Sequence, residues 1–187
     1  MSKAVLISIN PEWCELIAAG EKTVEVRKNK PKINSPFKCY IYCSDKNTSD
    51  PHKLLETHSN GKTHRCNGKV WAEFVCDYIE RFAVDYRINC TQTERISQRS
   101  CVDFGELINY GLNSSCLYAW RISDFKIYDE PLELSDFYVW KKCNSCRDTG
   151  YESAACCYDE DCKVPAIITR PPQSWCYVEE LKGGEEE

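Results

Sequence analysis

Three ionisable side chains fall within six residues: Lys22, Glu25 and Arg27. Around them TVEVR alternates, so Val24 and Val26 point one way while Thr23, Glu25 and Arg27 point the other. Glu25 and Arg27 are therefore neighbours on what reads as the outward face of a strand, with Lys22 at its mouth. The guanidinium offers a planar fork for a phosphate or a base edge, and the ammonium a point charge. The plainer reading is an ion pair on a half-exposed sheet, which contributes little stability. Lys28 continues the basic run, which reaches Lys30, Lys32 and Lys38 and is either a solvated turn or a track for phosphates. Tyr42 sits on the polar face of a later alternating stretch. With Tyr40 and Trp71 it supplies rings that could stack on an unpaired base.

A second constellation is KKCNSCRDTGYESAACCYDEDC. Cys143, Cys146, Cys157 and Cys162 give C-x2-C-x10-C-x4-C, the ligand spacing of a small structural zinc site, with Cys156 competing with Cys157 as third ligand. Four thiolates would close the coordination sphere. The stretch has no apolar stripe to fold on, and a metal would supply that stability. The alternative is a loop of partly buried free thiols. His52, His58, His64 and Cys66 form a looser set, read as mostly solvated. Cys14, Cys39, Cys76 and Cys116 lie in or beside expected elements and read as small core residues.

The elements that must position these groups follow from periodicity. Lys3–Ile9 reads as a strand buried on both faces. Asn10 and Pro11 open a helix over Pro11–Ala19, with Trp13, Cys14, Ile17 and Ala18 at helical spacing and Gly20 ending it. Strands are predicted over Thr23–Lys28, Phe37–Cys43, Val70–Glu80 and Ser174–Glu179, and a strand or bent pair over Leu117–Tyr128. Residues 44–67 read as a loop with a short helix near Lys53–Thr57. Asp103 to Glu106 has the form of a capping box opening a helix that Gly111 ends. Five or six strands, two helices and no βαβ rhythm predict an α+β fold built on a small mixed barrel.

The 187 residues suit one domain, and 42% apolar content can fill a core. No run approaches the roughly 20 apolar residues of a spanning helix. AVLISI is too short for a signal-peptide core, so the 14 cysteines suggest reduced thiols and a cytoplasmic protein. The net charge of −5 argues against nucleic-acid binding by bulk electrostatics. The GGEEE ending reads as a disordered acidic tail over 183–187.

The segment from Ile9 to Arg27 resembles the ASCH family, a branch of the PUA-like β-barrels. The match is I-x-P followed by G-x-K-x-x-E-x-R: Ile9, Pro11, Gly20, Lys22, Glu25 and Arg27. Gly68–Ile79, Tyr110–Pro131 and Pro171–Leu181 also look like the family. The resemblance implies a single PUA-like mixed barrel over 1–182 with flanking helices. Residues 44–67 would be a loop insertion and 137–168 a Cys-rich, zinc-binding insertion. It implies a stand-alone protein of prokaryotic or phage type that binds single-stranded RNA or a nucleotide. The cleft would be lined by Lys22, Glu25 and Arg27, with Lys28 and Tyr42 adding contacts. A second implication is a hydrolase in the same cleft, a ribonuclease or an acetylcytidine amidohydrolase, in which Lys22 and Glu25 would be catalytic. The amidohydrolase pattern needs a Lys, a Thr and a Glu. Lys22 fits, but Glu25 occupies the Thr position, and no acid aligns near Arg99 and Ser100. A third reading, from another class, is a protein-interaction module that uses the acidic insert.

Overall fold

The computed structural model describes residues 2–45, 54–83, 90–112, 114–142 and 163–181. The first strand, β1 (Lys3–Ile9), runs into α1 (Pro11–Ala18). Asn10 holds the N-cap position in extended backbone, but its Oδ1 accepts from Ser44 Oγ at 2.8 Å rather than from a first-turn amide. Gly20, at φ +75°, turns the chain out of the helix. Then follow β2 (Val24–Arg27) and β3 (Phe37–Cys43). The 44–67 segment carries a hairpin, β4 (Glu56–Ser59) and β5 (Lys62–Arg65), in place of the expected short helix. Its turn is Asn60-Gly61, both at positive φ, the backbone that a two-residue hairpin loop requires.

The long strand expected over Val70–Glu80 is two, β6 (Val70–Cys76) and β7 (Ile79–Phe82), parted at Asp77-Tyr78. Helix α2 (Cys90–Ser100) was not legible in the sequence. Helix α3 (Phe104–Gly111) starts where expected, with the Asp103 carboxylate accepting from Gly105 N at 2.7 Å. The bent pair is β8 (Leu117–Arg121) and β9 (Ser123–Leu132). After a 3-10 turn at Leu134–Asp136, β10 (Tyr138–Lys142) pairs with β11 (Lys163–Ile167), and β12 (Trp175–Glu179) ends the fold.

Strands β12-β1-β3-β6-β9 form one sheet and β2-β8-β7 another. The expected closed barrel is not found among the described residues. Strands β2 and β7 are the edges of the smaller sheet, and neither pairs with the larger one. At the gap the link between β2 and β1 is a side chain, Arg27 Nη2 donating to Ser8 O at 2.7 Å.

The centre of the larger sheet, β1 and β3, is buried on both faces, which explains the unbroken apolar run of β1. One face carries Val5, Ile7, Cys39, Ile41 and Phe74, packed with Cys14, Trp71 and Trp120. The other carries Leu6, Tyr40, Tyr42 and Val70, covered by Phe137 and Ile168 at the base of the β10–β11 ribbon. Val24 and Val26 join Phe82, Ile96, Leu107 and Leu117 in a third cluster beneath α2 and α3. Cys14, Cys39, Cys76 and Cys116 are buried, as expected of small core residues. Burial pushes the Cys76 thiol up to about 12 and raises Cys14 and Cys39 as well.

Cys143, Cys146, Cys156, Cys157 and Cys162 lie outside the described residues, as do His52 and the acidic tail 183–187. Cys143 and Cys162 are the sequence neighbours of Lys142 and Lys163, the last pair of the ribbon. Among the described residues no group of three or more His, Cys, Asp and Glu side chains could hold a metal ion. His58 instead meets Thr63 Oγ1 at 2.9 Å, and Cys66 is buried in the core. No helix among the described residues is long and apolar enough to cross a membrane.

Candidate functional site

Strand parity places Glu25 and Arg27 on one face of β2, but that face points inward. Glu25 pairs across the sheet with Trp120, a fully buried core residue. Both faces of β2 are therefore covered, Val24 and Val26 by the helices and Glu25 by the space between the sheets. The expectation of an outward charged face is corrected here: Glu25 is 7% exposed and Lys22 3%.

Charge so deeply placed must be paired and hydrogen-bonded. Lys22 Nζ lies 3.2 Å from Glu25 Oε2, and Arg27 Nη2 lies 2.9 Å from Glu25 Oε1. One carboxylate thus holds two cations, and the triad keeps a net charge of +1. Lys22 Nζ also donates to Ser100 O at 2.7 Å and sits 5.1 Å from the centroid of the Trp13 ring. Ser100 ends α2, where carbonyls lack helical partners and a cation is favoured. The adjacent carbonyl, Arg99 O, accepts from Thr23 N at 2.8 Å. The missed helix α2 is thereby docked onto the residues just before β2.

The triad opens on a cavity of about 280 Å³. Trp13 of α1 forms one wall, and Val102, Leu107 and Tyr110 of the α3 region form another. Lys28 is exposed and stands 4.9 Å from the centroid of the Tyr110 ring, at the rim. The structure therefore brings together Lys22, Glu25 and Arg27, with Lys28 beside them. It does not bring Tyr42 to this cavity. Tyr42 is 6% exposed in the second core cluster and lines a different cavity, which it shares with Arg27. Tyr40 and Trp71 are fully buried, so neither is an exposed stacking ring. The face of β3 that carries Tyr40 and Tyr42 is polar by residue type, yet the ribbon base covers it, and Trp71 of β6 packs in the first core cluster.

Sequence reasoning missed two aromatics. Trp13 falls in the apolar stripe of α1, and spacing does not distinguish its partly buried ring from a core ring. Tyr110 is 40% exposed. It stands three residues after Leu107 on the same side of α3, so spacing alone reads it as a further core position. The farther basic residues do not converge on the cavity. Lys30 and Lys32 are exposed, and Lys38 pairs with Glu73 at 3.3 Å and Glu180 at 3.7 Å.

Comparison with known proteins bears on this arrangement. Residues 7–74 match the family model of the ASCH domain, a span that includes α1, the triad and the strands up to β6. No curated protein matches the sequence. Among solved structures, an ASCH protein from Zymomonas mobilis is similar at TM-score 0.55 and 18% identity, over 95% of this chain and 88% of that one. A tyrosine-to-phenylalanine variant of the Zymomonas mobilis protein aligns at TM-score 0.56 and 17% identity, over 96% of this chain and 92% of that one. At such identity the likeness concerns the fold. Residues 7–74 thus match the ASCH domain model, and the chain as a whole is similar in fold to ASCH proteins.

Proposed function

We propose that the cavity beside Lys22, Glu25 and Arg27 binds single-stranded RNA or a nucleotide. ASCH domains are generally RNA-binding. The observation that carries the reading is the composition of the cavity. A buried triad of net positive charge forms one part, aromatic and aliphatic side chains form most of the rest, and the exposed carboxylate of Glu106 adds a polar group on the α3 side. A nucleotide has matching parts: a flat ring to lie against Trp13 or Tyr110, polar edges for Glu25, and a phosphate for Arg27 and Lys28. The fork of Arg27 is largely engaged by Glu25, Ser8 and Ser174, and that pairing holds the Arg27 charge in place without its first having to be ordered.

The test is fluorescence anisotropy of a labelled single-stranded RNA at low salt. Saturable binding that weakens with added salt supports the reading. Tyr110→Ala removes an exposed ring and should cost roughly 1–3 kcal/mol of binding. Arg27→Ala should cost roughly 1.5–3 kcal/mol. Wild-type affinity in both folded variants would remove the cavity from the binding surface. Strand scission or acetylcytidine turnover by the same protein, lost in Lys22→Met, would replace the reading with the hydrolase. No binding and no turnover would leave the protein-interaction reading.

A further inference from the structure

Arg27 lines a second cavity as well, of about 530 Å³. Its lining has a different chemistry. Ser8, Asn10, Tyr42, Ser44, Asp45 and Gln173 contribute hydroxyl, amide and carboxylate groups, and Arg27 is the one cation among the lining residues. Its wall at Pro171 to Gln173 is fastened to β1, with Ser8 Oγ donating to Pro172 O at 2.6 Å and Ser8 N to Ser174 O at 3.0 Å. The guanidinium is held from both directions. Glu25 takes Nη2 on the triad side, while Ser8 O and Ser174 Oγ accept from Nη2 and Nη1 at 2.7 and 3.3 Å.

A side chain shared by two cavities, one aromatic and one rich in hydroxyl-seeking groups, suits a ligand with two such parts joined by an anion. We infer that the second cavity receives the ribose of the neighbouring nucleotide in an RNA strand, with the linking phosphate over Arg27. This rests on the nucleotide reading of the first cavity. Phosphate is assigned to Arg27 because it is the one cation among the lining residues, whereas Asp45 is an exposed carboxylate paired with Arg65 at 3.0 Å and draws no anion to its side of the cavity. Sugar is assigned there because carboxylate, amide and hydroxyl groups can each bond a ribose hydroxyl, the group that separates RNA from DNA. The preferred ligand is therefore a dinucleotide or longer, and a ribonucleotide in particular.

The experiment compares pooled ribonucleoside monophosphates, ribodinucleotides and deoxyribodinucleotides by competition against labelled RNA. Photocrosslinking of thiouridine-containing members follows, with the modified peptides located by mass spectrometry. Ribodinucleotides should compete about tenfold better than mononucleotides, equivalent to about 1.4 kcal/mol. Their salt dependence should be steeper by roughly 0.7 in log–log slope, for one more neutralised phosphate. Crosslinks of the dinucleotides should reach the Tyr42 peptide or the Pro171–Gln173 peptide as well as the Trp13 or Tyr110 peptides. Dinucleotides that bind no tighter than mononucleotides, and crosslink only at Trp13 or Tyr110, would overturn the inference and leave the first cavity as the binding site. Deoxyribodinucleotides that compete as well as ribodinucleotides would overturn the assignment of ribose. Absence of binding by every pool would overturn both this inference and the nucleotide reading.

Discussion

Replacing Glu25 by glutamine should destabilise the protein more than removing either cation it holds. The triad has side-chain exposures of 2% for Lys22, 9% for Glu25 and 11% for Arg27, so its charges have little water to fall back on. Lys22→Met or Arg27→Met removes one of the two ion pairs, together with that cation's bonds to neighbouring oxygens, and leaves a neutral pair. Glu25→Gln removes both contacts, at 3.2 and 2.9 Å, and leaves two buried cations facing a neutral amide. Each contact represents roughly 5 kcal/mol of gross attraction at an effective dielectric near 20, most of it offset by desolvation. Loss of the shared partner should therefore cost roughly 3–5 kcal/mol, the range for an uncompensated buried charge. Lys22→Met should cost about 1.5–3 kcal/mol, chiefly through the Ser100 carbonyl it leaves without its cation. Urea unfolding followed by tryptophan fluorescence reads the difference, since Trp71 and Trp120 are fully buried. With a urea slope of about 2 kcal/mol/M, Glu25→Gln should lower the midpoint by roughly 2 M. A smaller shift for Glu25→Gln than for Lys22→Met would refute the picture of one carboxylate neutralising two cations.

Three further outcomes can be measured. The Cys76 thiol, pushed up to about 12 by burial, stays protonated in the folded chain while the unfolded thiol ionises above about pH 8.5. The folded state then holds the extra proton, so its stability is full below that pH and falls as pH rises toward the folded value. Between pH 8 and pH 10, Cys76 should contribute a loss of roughly 1–2 kcal/mol, and Cys76→Ala should show a shallower decline in urea midpoint. The carboxylate of Asp103 caps α3 through Gly105 N, and Asp103→Ala should cost about 1 kcal/mol, read as a lower thermal midpoint. If Cys143, Cys146, Cys162 and either Cys157 or Cys156 hold a structural zinc, elemental analysis should find about one zinc per chain. Cys143→Ser should remove it while the main unfolding transition, which reports the sheet core, persists; a metal-free wild-type chain would end that proposal.

The sequence showed some of these features and hid others for identifiable reasons. The helix of Pro11–Ala18, its exit at Gly20 and the parity of Val24 to Arg27 were legible, because each rests on local backbone chemistry. Parity separates the two faces of a strand but does not say which is buried, and in β2 both are. Helix α2 was illegible because CTQTERISQRS has only Ile96 as a buried aliphatic, with Thr93 and Ser100 completing its buried side. The β4–β5 hairpin was overlooked although Asn60-Gly61 announces it, since the polar strands around it show no apolar alternation. Tyr40 and Tyr42 looked like an outward polar face until Phe137 and Ile168, about a hundred residues away in the chain, proved to cover it. The convergence of Arg27 on Ser8 and Ser174 is equally non-local, and no spacing rule contains it.

The contact between Lys22 and the end of α2 has a consequence for how variants at that position are interpreted. Through Ser100 the ammonium acts as a latch on the helical pair, and the chain leaving the latch, Cys101 and Val102, leads directly into α3. The wall that carries Val102, Leu107 and Tyr110 is thus hung from the same amine that charges the cavity floor. Changing Lys22 alters electrostatics and architecture in one stroke. Weakened binding in such a variant reports a displaced wall as readily as a lost ligand contact. Tyr110, which hangs from that wall without supporting it, is the position at which a loss can be ascribed to the ligand.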